Sequence, residues 1–174
     1  MSAVVSLCTI LSFISVLKLP FGGTVTLGQS VPLIFFSFKN GAKYGAVAGI
    51  LCGIIKIIFS FNVFPAVSMR FFLSMFVLDY LLPYALIGIS NIYTRFFKRK
   101  EYRILISCII AHILKFCCFM ISGALLWSQY IPYNLNIWKY SFKYNFSYMF
   151  PETIIACVIT FLITNFISLK NHTF

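Results

Sequence analysis

The stretch MRFFLSMFVLDYLLPYALIGISNIY, residues 69–93, decides the fold. It is apolar over more than the roughly 20 residues that a membrane-spanning helix needs. Its charged residues are Arg70 at the start and Asp79 in the middle. A carboxylate near the centre of a bilayer costs about 2.5 kcal/mol or more, so such a residue is a functional candidate. We therefore predict a spanning helix that carries a functional acid at Asp79, next to Tyr80.

The whole chain shares this apolar character. Its 174 residues are 61% hydrophobic and 10% charged, whereas about a quarter of the residues in a soluble domain are charged. The alternating apolar and polar segments of an outer-membrane barrel are absent, which favours helices. We predict an all-α integral membrane bundle in the cell membrane, with residues 1–174 forming a single transmembrane domain.

Six apolar segments, separated by polar or helix-breaking residues, are predicted to span the membrane. They are residues 3–17, 29–38, 44–61, 69–93, 104–127 and 140–169. Pro151 predicts a kink in the last one. The segment KLPFGGTVTLG at 18–28 contains strong turn signals in Pro20 and the Gly22-Gly23 pair. This apolar loop could fold down over the bundle as a lid, or it could be a simple connector.

The basic residues predict the orientation of the bundle. Six spans place both termini on one side together with eight bases: Lys39, Lys43, Arg95, Lys98, Arg99, Lys100, Arg103 and Lys170. The other side has four: Lys18, Arg70, Lys139 and Lys143. The positive-inside rule then puts both termini in the cytoplasm and the loops at 18–28, 62–68 and 128–139 outside. The same rule explains the net charge of +11, so no nucleic-acid partner is inferred.

Small residues recur on two of the predicted helices. Glycines at 41, 45, 49 and 53 form a stripe with a spacing of four, and Ser2, Ala3 and Ser6 lie on one face of the first helix. Stripes of this kind let helix backbones approach closely. The approaching helix could belong to another protein or to this bundle, and the pattern leaves both open.

The aromatic residues near the outer ends of the last two spans suggest a binding pocket. They are Trp127, Tyr130, Tyr133, Trp138, Tyr140, Tyr144 and Tyr148. One interpretation is an aromatic belt at the membrane interface. The other is an outward-facing pocket, in which aromatic faces and the Asp79 carboxylate bind a small, flat, cationic solute.

The remaining polar residues are interpreted as structural. Lys115 is expected to pair with either Glu152 or Asp79, and His112 to be a satisfied core residue. The six cysteines fall in apolar segments and are read as core residues rather than disulfides or a metal site. No phosphate-binding loop or catalytic motif is present. We therefore expect no enzyme, metal or cofactor here, and any ATPase must be another chain.

Three blocks of sequence resemble one known family. They are LPFGGTVTLGQSVPLIFFSFKNGAKYGAVAG at 19–49, LDYLLPYALIG at 78–88, and CFMISGALLW at 118–127 followed by WKYSFKYNFSYMFPE at 138–152. Together they resemble the thiamine-specific substrate-binding subunits (S-components) of energy-coupling factor transporters. The resemblance implies six helices, an outward pocket closed by the first loop, and high-affinity thiamine capture. It also implies docking onto a transmembrane coupling subunit and two cytoplasmic ATPases.

The resemblance also implies roles for individual residues. Asp79 corresponds to the acid that contacts the aminopyrimidine, with Tyr80 beside it. Trp127 and Tyr140 correspond to aromatic walls, Asn145 to a polar contact, and Gly123 to a position that leaves room for the ligand. For docking, the resemblance implies small residues of the first helices: Ala3, Ser6, Gly45 and Gly49.

Two positions depart from the family pattern. Phe119 stands where the family has a histidine, and Cys52 where it often has an aromatic residue. These changes remove a hydrogen-bonding group and stacking area, which leaves a thiamine precursor or another cationic aromatic solute as an alternative ligand. A small helical scaffold protein, with Asp79, Lys115 and Glu152 as a structural ion network, is the alternative from another class.

Overall fold

The computed structural model describes residues 1–60, 68–97, 100–131 and 135–171. The chain is mostly helical, and each of the six predicted segments contains a helix. The helices are α1 (Ser2–Phe13), α2 (Val31–Asn40), α3 (Ala42–Ser60), α4 (Met69–Met75), α5 (Leu82–Gly88), α6 (Lys100–Leu125) and α7 (Ile137–Asn171). The predicted loop around Pro65 lies outside the described residues.

Four helical segments are long and apolar enough to cross a membrane. They are Ala42–Phe59, Met69–Gly88, Tyr102–Leu125 and Ile137–Ile167. Helices α1 and α2 have 12 and 10 residues, about 18 and 15 Å at 1.5 Å per residue. Each is shorter than the roughly 30 Å hydrocarbon core. The six-span topology therefore stays a prediction, while the four long spans make the chain a multi-pass membrane protein.

A β-hairpin replaces the end of the first predicted span. Helix α1 stops at Phe13, and β1 (Ser15–Lys18) pairs antiparallel with β2 (Thr24–Thr26). The β-branched residues of β2 favour a strand, and Gly22 takes the positive φ of 90° that the connecting turn requires. The predicted boundary at residue 17 is wrong, because β1 occupies the end of the predicted span and β2 lies in the predicted loop. The mostly helical chain thus includes one short strand pair that the all-α prediction did not contain.

The glycine stripe of α3 packs inside the chain, against the segment that ends in α5. A Cβ atom added to Gly49 would lie 2.2 Å from the carbonyl oxygen of Tyr84, and one on Gly45 would lie 2.0 Å from that of Gly88. The two backbones are thus in direct contact along the stripe. This corrects the expectation that Gly45 and Gly49 belong to a docking surface for a partner. The prediction of a close helix approach is confirmed, with a neighbour in the same bundle.

Replacing Gly49 with alanine is expected to destabilise the protein by about 1–3 kcal/mol, the usual range for overpacking. The clash would be with a carbonyl oxygen of the backbone, which cannot move aside as a side chain can. Thermal unfolding in detergent would measure the effect. Val47→Ala is the matched control, because Val47 lies on the same helix and is 47% exposed. Equal decreases of the unfolding temperature in the two variants would contradict the backbone contact between α3 and α5.

The acidic dipeptide lies in a widened turn of the helix. Between α4 and α5, residues Phe76–Leu81 form a π-helix, and the backbone N–H of Leu82 donates to the carbonyl of Val77, five residues earlier. Pro83 follows directly and has no N–H for the carbonyl of Asp79, four residues before it. The wider turn accommodates the proline ring. π-Helical turns of this kind are frequent at functional sites.

Helices α6 and α7 form the other main pair of the bundle. Helix α7 runs without interruption from Ile137 to Asn171, with Pro151 inside it. The chain between α5 and α6 folds back onto α6, where Thr94 and Ser107 share a hydrogen bond of 2.8 Å. Together with the hairpin, α6, α7 and the π-helical turns surround a large cavity.

Candidate functional site

A cavity of about 1060 Å³ lies between the hairpin, the π-helical turns, α6 and α7. Ligand pockets in proteins commonly measure about 300–1,000 Å³, with apolar and aromatic walls and a few polar groups. All seven residues predicted to bind substrate line this cavity: Asp79, Tyr80, Phe119, Gly123, Trp127, Tyr140 and Asn145. The structure thus brings together residues from three separate parts of the sequence.

Asp79 and Trp127 are joined across the cavity wall. The indole Nε1–H of Trp127 donates to Oδ2 of Asp79 at 3.2 Å. Phe71 packs edge-on against the indole, with ring centroids 5.5 Å apart, and Tyr130 lies 5.7 Å away on centroids. These contacts fix the ring and the carboxylate relative to each other. The pair offers a ligand an aromatic surface next to a negative charge.

The aromatic residues divide between the cavity and the outer surface. Trp127, Tyr130, Tyr140, Tyr144 and Tyr148 line the cavity. Trp138 is 50% exposed and does not line it, which fits a position at the membrane interface. Tyr133 lies outside the described residues. The pocket interpretation therefore describes most of the set, and the belt interpretation describes Trp138.

Asn145 is held by partners within the chain. Its amide nitrogen donates to the carbonyl of Ser141 at 2.9 Å and to that of Phe119 at 3.3 Å, and its Oδ1 accepts from the hydroxyl of Tyr148 at 2.7 Å. At Gly123, an added Cβ would lie 2.4 Å from Oγ of Ser141. Gly123 therefore leaves room for α7, in addition to facing the cavity.

A buried ion pair forms the polar floor of the cavity. Nζ of Lys115 lies 3.2 Å from Oε1 of Glu152, and the two side chains are only 2% and 1% exposed. The same oxygen accepts from Thr26 Oγ1 at 3.1 Å and from Gln29 Nε2 at 3.3 Å. This geometry decides the pairing that the sequence left open, because Lys115 pairs with Glu152 rather than Asp79.

Phe119 fills the position where a family histidine was expected. Its ring centroid is 5.5 Å from Nζ of Lys115, and the ring of Tyr84 is 5.8 Å from the same atom. Aromatic faces attract cations at this range. The phenylalanine therefore supports the buried lysine instead of offering a hydrogen bond to the cavity.

The hairpin is fixed to α7 by contacts at its turn. The backbone N–H of Gly23 donates to the hydroxyl of Tyr144 at 3.1 Å, and that hydroxyl donates to the carbonyl of Pro20. A Cβ on Gly23 would lie 2.8 Å from the ring of Tyr148, so a side chain there would push the turn off the helix. Val25 is buried against Tyr148. The hairpin thus forms one wall of the cavity.

His112 and the cysteines are not among the residues that line the cavity. His112 donates from Nδ1 to the carbonyl of Cys108 at 2.8 Å and accepts at Nε2 from Ser30 at 3.1 Å, which confirms a satisfied core histidine. The six cysteines are free. Cys117 is exposed on α6, so the core prediction is wrong for this residue, whereas four of the others are buried. Among the described residues, no group of three potential ligands could hold a metal.

Sequence reasoning missed several residues that line the cavity. Gln29 lines the cavity, and it donates to Glu152 together with Thr26, which is buried and does not line the cavity. Both residues lie in a segment that was expected to be a loop and the start of a helix. Lys18 and Lys56 also line the cavity. The sequence contains a signal for Lys56, because a charged residue within an apolar helix is a functional candidate. Its position near the helix end instead suggested a side chain that extends to the membrane surface.

Both the sequence and the fold of the chain are similar to those of known proteins. Residues 1–171 match the family model described as "Thiamine transporter protein". The chain is 27% identical over 156 residues to the thiamine transporter ThiT of Bacillus subtilis (strain 168), which covers 84% of this chain and 78% of that protein. Its fold is similar to that of a solved structure of ThiT from Listeria monocytogenes. That match has a TM-score of 0.71 at 16% identity and covers 94% of this chain and 90% of the other.

Proposed function

The chain belongs to the thiamine transporter protein family, and from this premise we propose that the cavity bounded by the hairpin, the π-helical turns, α6 and α7 is its thiamine-binding site. The chain is a multi-pass protein of the plasma membrane that serves thiamine uptake as an S-component. The observation that carries the proposal is the convergence of Asp79, Trp127 and five other predicted residues on one cavity.

The chemistry of thiamine fits the walls of this cavity. Thiamine combines a flat aminopyrimidine, which has hydrogen-bond donors, with a cationic thiazolium ring. The carboxylate of Asp79 would accept from the amino group of the pyrimidine. Trp127 and Tyr140 would pack on the flat faces, where aromatic rings also attract the cation. Tyr80, Phe119, Gly123 and Asn145 would complete the enclosure.

We propose that the hairpin acts as the lid of the site. Its residues form one wall of the cavity, and its turn is held to α7 through Tyr144 and Gly23. Opening would break these contacts together with those of Val25 with Tyr148 and of Thr26 with Glu152. The predicted topology, with six spans and both termini in the cytoplasm, would place this hairpin on the outer face, where solute arrives.

The partners of the chain follow from the family resemblance. We propose docking onto a transmembrane coupling subunit, with two cytoplasmic ATPases supplying the energy, so that this chain needs no cofactor of its own. Ala3 and Ser6 are exposed on α1 and are the proposed docking residues. This surface would lie in the lipid bilayer until the partner binds.

A fluorescence titration tests the binding site directly. The chain has 2 tryptophans, so in Trp138→Phe the tryptophan fluorescence comes from Trp127 alone. Titration of this detergent-purified variant with thiamine is expected to give saturable quenching at sub-micromolar ligand. Trp127→Phe, which leaves only Trp138, is the matched variant and should show no quenching. Equal quenching in the two variants would mean that the ligand binds away from Trp127.

Two alternative functions predict different quenching of Trp127 in this titration. If the solute is a thiamine precursor, the separate pyrimidine or thiazole compound would quench Trp127 at lower concentrations than thiamine does. The replacement of the family histidine by Phe119 favours testing this alternative. If the chain is only a helical scaffold, none of these compounds would quench Trp127 up to millimolar concentration.

A further inference from the structure

The turn that leads from α5 to α6 exposes two phenylalanines. Phe96 is 92% exposed, the highest fraction for a large apolar side chain among the described residues, and Phe97 is 50% exposed. The surrounding sequence is RFFKRKEYR, residues 95–103, with five bases and one acid. The positive-inside rule accounts for the bases, but it does not account for aromatic rings that would be unfavourable in water. The segment therefore fits a partner that offers both negative charge and apolar surface.

Hydrogen bonds fix the conformation of this turn. The backbone N–H of Arg95 donates to the carbonyl of Ile92 at 3.1 Å, and that of Phe97 donates to the carbonyl of Thr94 at 3.0 Å. Thr94 is buried, and its hydroxyl shares a hydrogen bond of 2.8 Å with Ser107 of α6. The two phenylalanines are thus exposed on a turn that is attached to the helix bundle.

Two arginines flank the turn and differ in their surroundings. Nε of Arg103 donates to the carbonyl of Thr94 at 3.1 Å, and its guanidinium group lies 6.0 Å from the ring centroid of Phe38. Arg103 therefore helps to hold the turn in place. Arg95 is exposed and directly precedes Phe96 in the chain. The turn thus presents a positive charge and aromatic rings side by side.

The contact with Ser107 determines how deep the turn lies in the membrane. Ser107 is five residues inside the spanning segment Tyr102–Leu125, which is about 7.5 Å along the helix at 1.5 Å per residue. Phe96 follows Thr94 by two residues, so the two Cα atoms are within about 7 Å of each other. The headgroup region adds about 5–7.5 Å to each side of the hydrocarbon core. The aromatic rings therefore lie at the level of the lipid headgroups rather than in bulk water.

We propose that Arg95, Phe96 and Phe97 form a binding surface for anionic phospholipid in the leaflet that the turn faces. The two rings would enter the boundary between headgroups and acyl chains, and the basic segment would attract the phosphate of a lipid such as phosphatidylglycerol. A phospholipid presents phosphate above apolar chains at this depth, which matches the arrangement of the turn. The inference does not depend on which solute the cavity binds.

A tryptophan placed in the turn would report contact with lipid. Phe96→Trp, combined with Trp127→Phe and Trp138→Phe, leaves a single tryptophan, because the chain has 2 native ones. The variant is placed in phosphatidylcholine nanodiscs that contain a minor fraction of lipid with brominated chains, which quench a tryptophan in contact with them. Brominated phosphatidylglycerol is expected to reach half-maximal quenching at a mole fraction at least fivefold lower than brominated phosphatidylcholine. High salt should reduce this difference, because it screens exposed charges.

Removing one base measures the electrostatic contribution. In the same reporter, Arg95→Gln should reduce the preference for phosphatidylglycerol by about fivefold, which corresponds to about 1 kcal/mol for one base near an anionic leaflet. Lys139→Gln is the matched control and should leave the preference unchanged. Lys139 is also an exposed base, but it lies near the start of α7, whereas the turn precedes the start of α6.

The outcomes distinguish a lipid from a protein partner. Equal quenching by the two brominated lipids would overturn the preference for anionic lipid. No quenching by either lipid would overturn a lipid as the occupant and would favour an acidic protein instead. Native mass spectrometry of the protein with its own tryptophans is a second measurement, in case the reporter is unstable. More phosphatidylglycerol than phosphatidylcholine should stay bound, with a smaller excess in Arg95→Gln, and equal retention would contradict the proposal.

Discussion

The variant Asp79→Asn is expected to bind thiamine about 10- to 150-fold more weakly than the wild-type protein, with an unchanged fold. Asparagine has the same size and keeps an oxygen that can accept from the indole N–H of Trp127, now 3.2 Å from the carboxylate. What it loses is the negative charge. A hydrogen bond to a charged group contributes about 1.5–3 kcal/mol, which corresponds to this range of affinity. Calorimetric titration of the purified protein measures it.

The position of Asp79 explains why folding should tolerate the change. The residue lies in the π-helical turns, and no ion pair to it is found among the described residues. Removing its charge therefore leaves no buried cation without a partner. Thermal unfolding of the ligand-free protein provides the control. A clear loss of stability, with no thiamine affinity to lose in the wild-type protein, would favour the scaffold alternative instead.

The members of the cavity were more predictable than their contacts. The family resemblance identified Trp127, Tyr140 and Asn145 as cavity residues, whereas Asp79 stands out on physical grounds because a carboxylate is rare and costly in a spanning helix. The sequence does not say how they touch. Asn145 bonds to Ser141 and Tyr148 of its own helix and to the carbonyl of Phe119, and the last contact depends on how α6 packs against α7.

The glycine stripe illustrates a similar limit. A spacing of four small residues predicts that another backbone approaches closely, but it does not identify the approaching helix. In the structure the approaching helix is α5, whose carbonyl groups at Tyr84 and Gly88 contact the stripe. The hairpin was missed for a different reason. Its strands are only 4 and 3 residues long, too short for the alternation of apolar and polar residues that identifies a strand.

The ion pair below the cavity gives the second large expected effect. Glu152→Met is expected to destabilise the protein by about 3–5 kcal/mol, because removal of one partner leaves the other charge buried and uncompensated. Among the residues that the structure describes, Lys115 would then keep the faces of Tyr84 and Phe119, 5.8 and 5.5 Å from its ammonium group. Lys115→Met should cost less, since Glu152 keeps hydrogen bonds from Thr26 and Gln29. The thermal unfolding temperature of each variant in detergent measures its loss of stability.

The double variant Lys115→Met/Glu152→Met separates pairing from simple burial. Methionine has nearly the length of both side chains and carries no charge, so the double variant removes both buried ions and fills their space. We expect it to be more stable than the sum of the single effects predicts, by about 0.5–3 kcal/mol, the range of coupling between residues in contact. It will remain below the wild-type protein, because Thr26 and Gln29 lose their shared acceptor at Glu152. Additive effects would mean that the two charges act independently. The hairpin carries Thr26, so weaker thiamine binding in the double variant would also indicate that Glu152 holds this wall of the cavity in place.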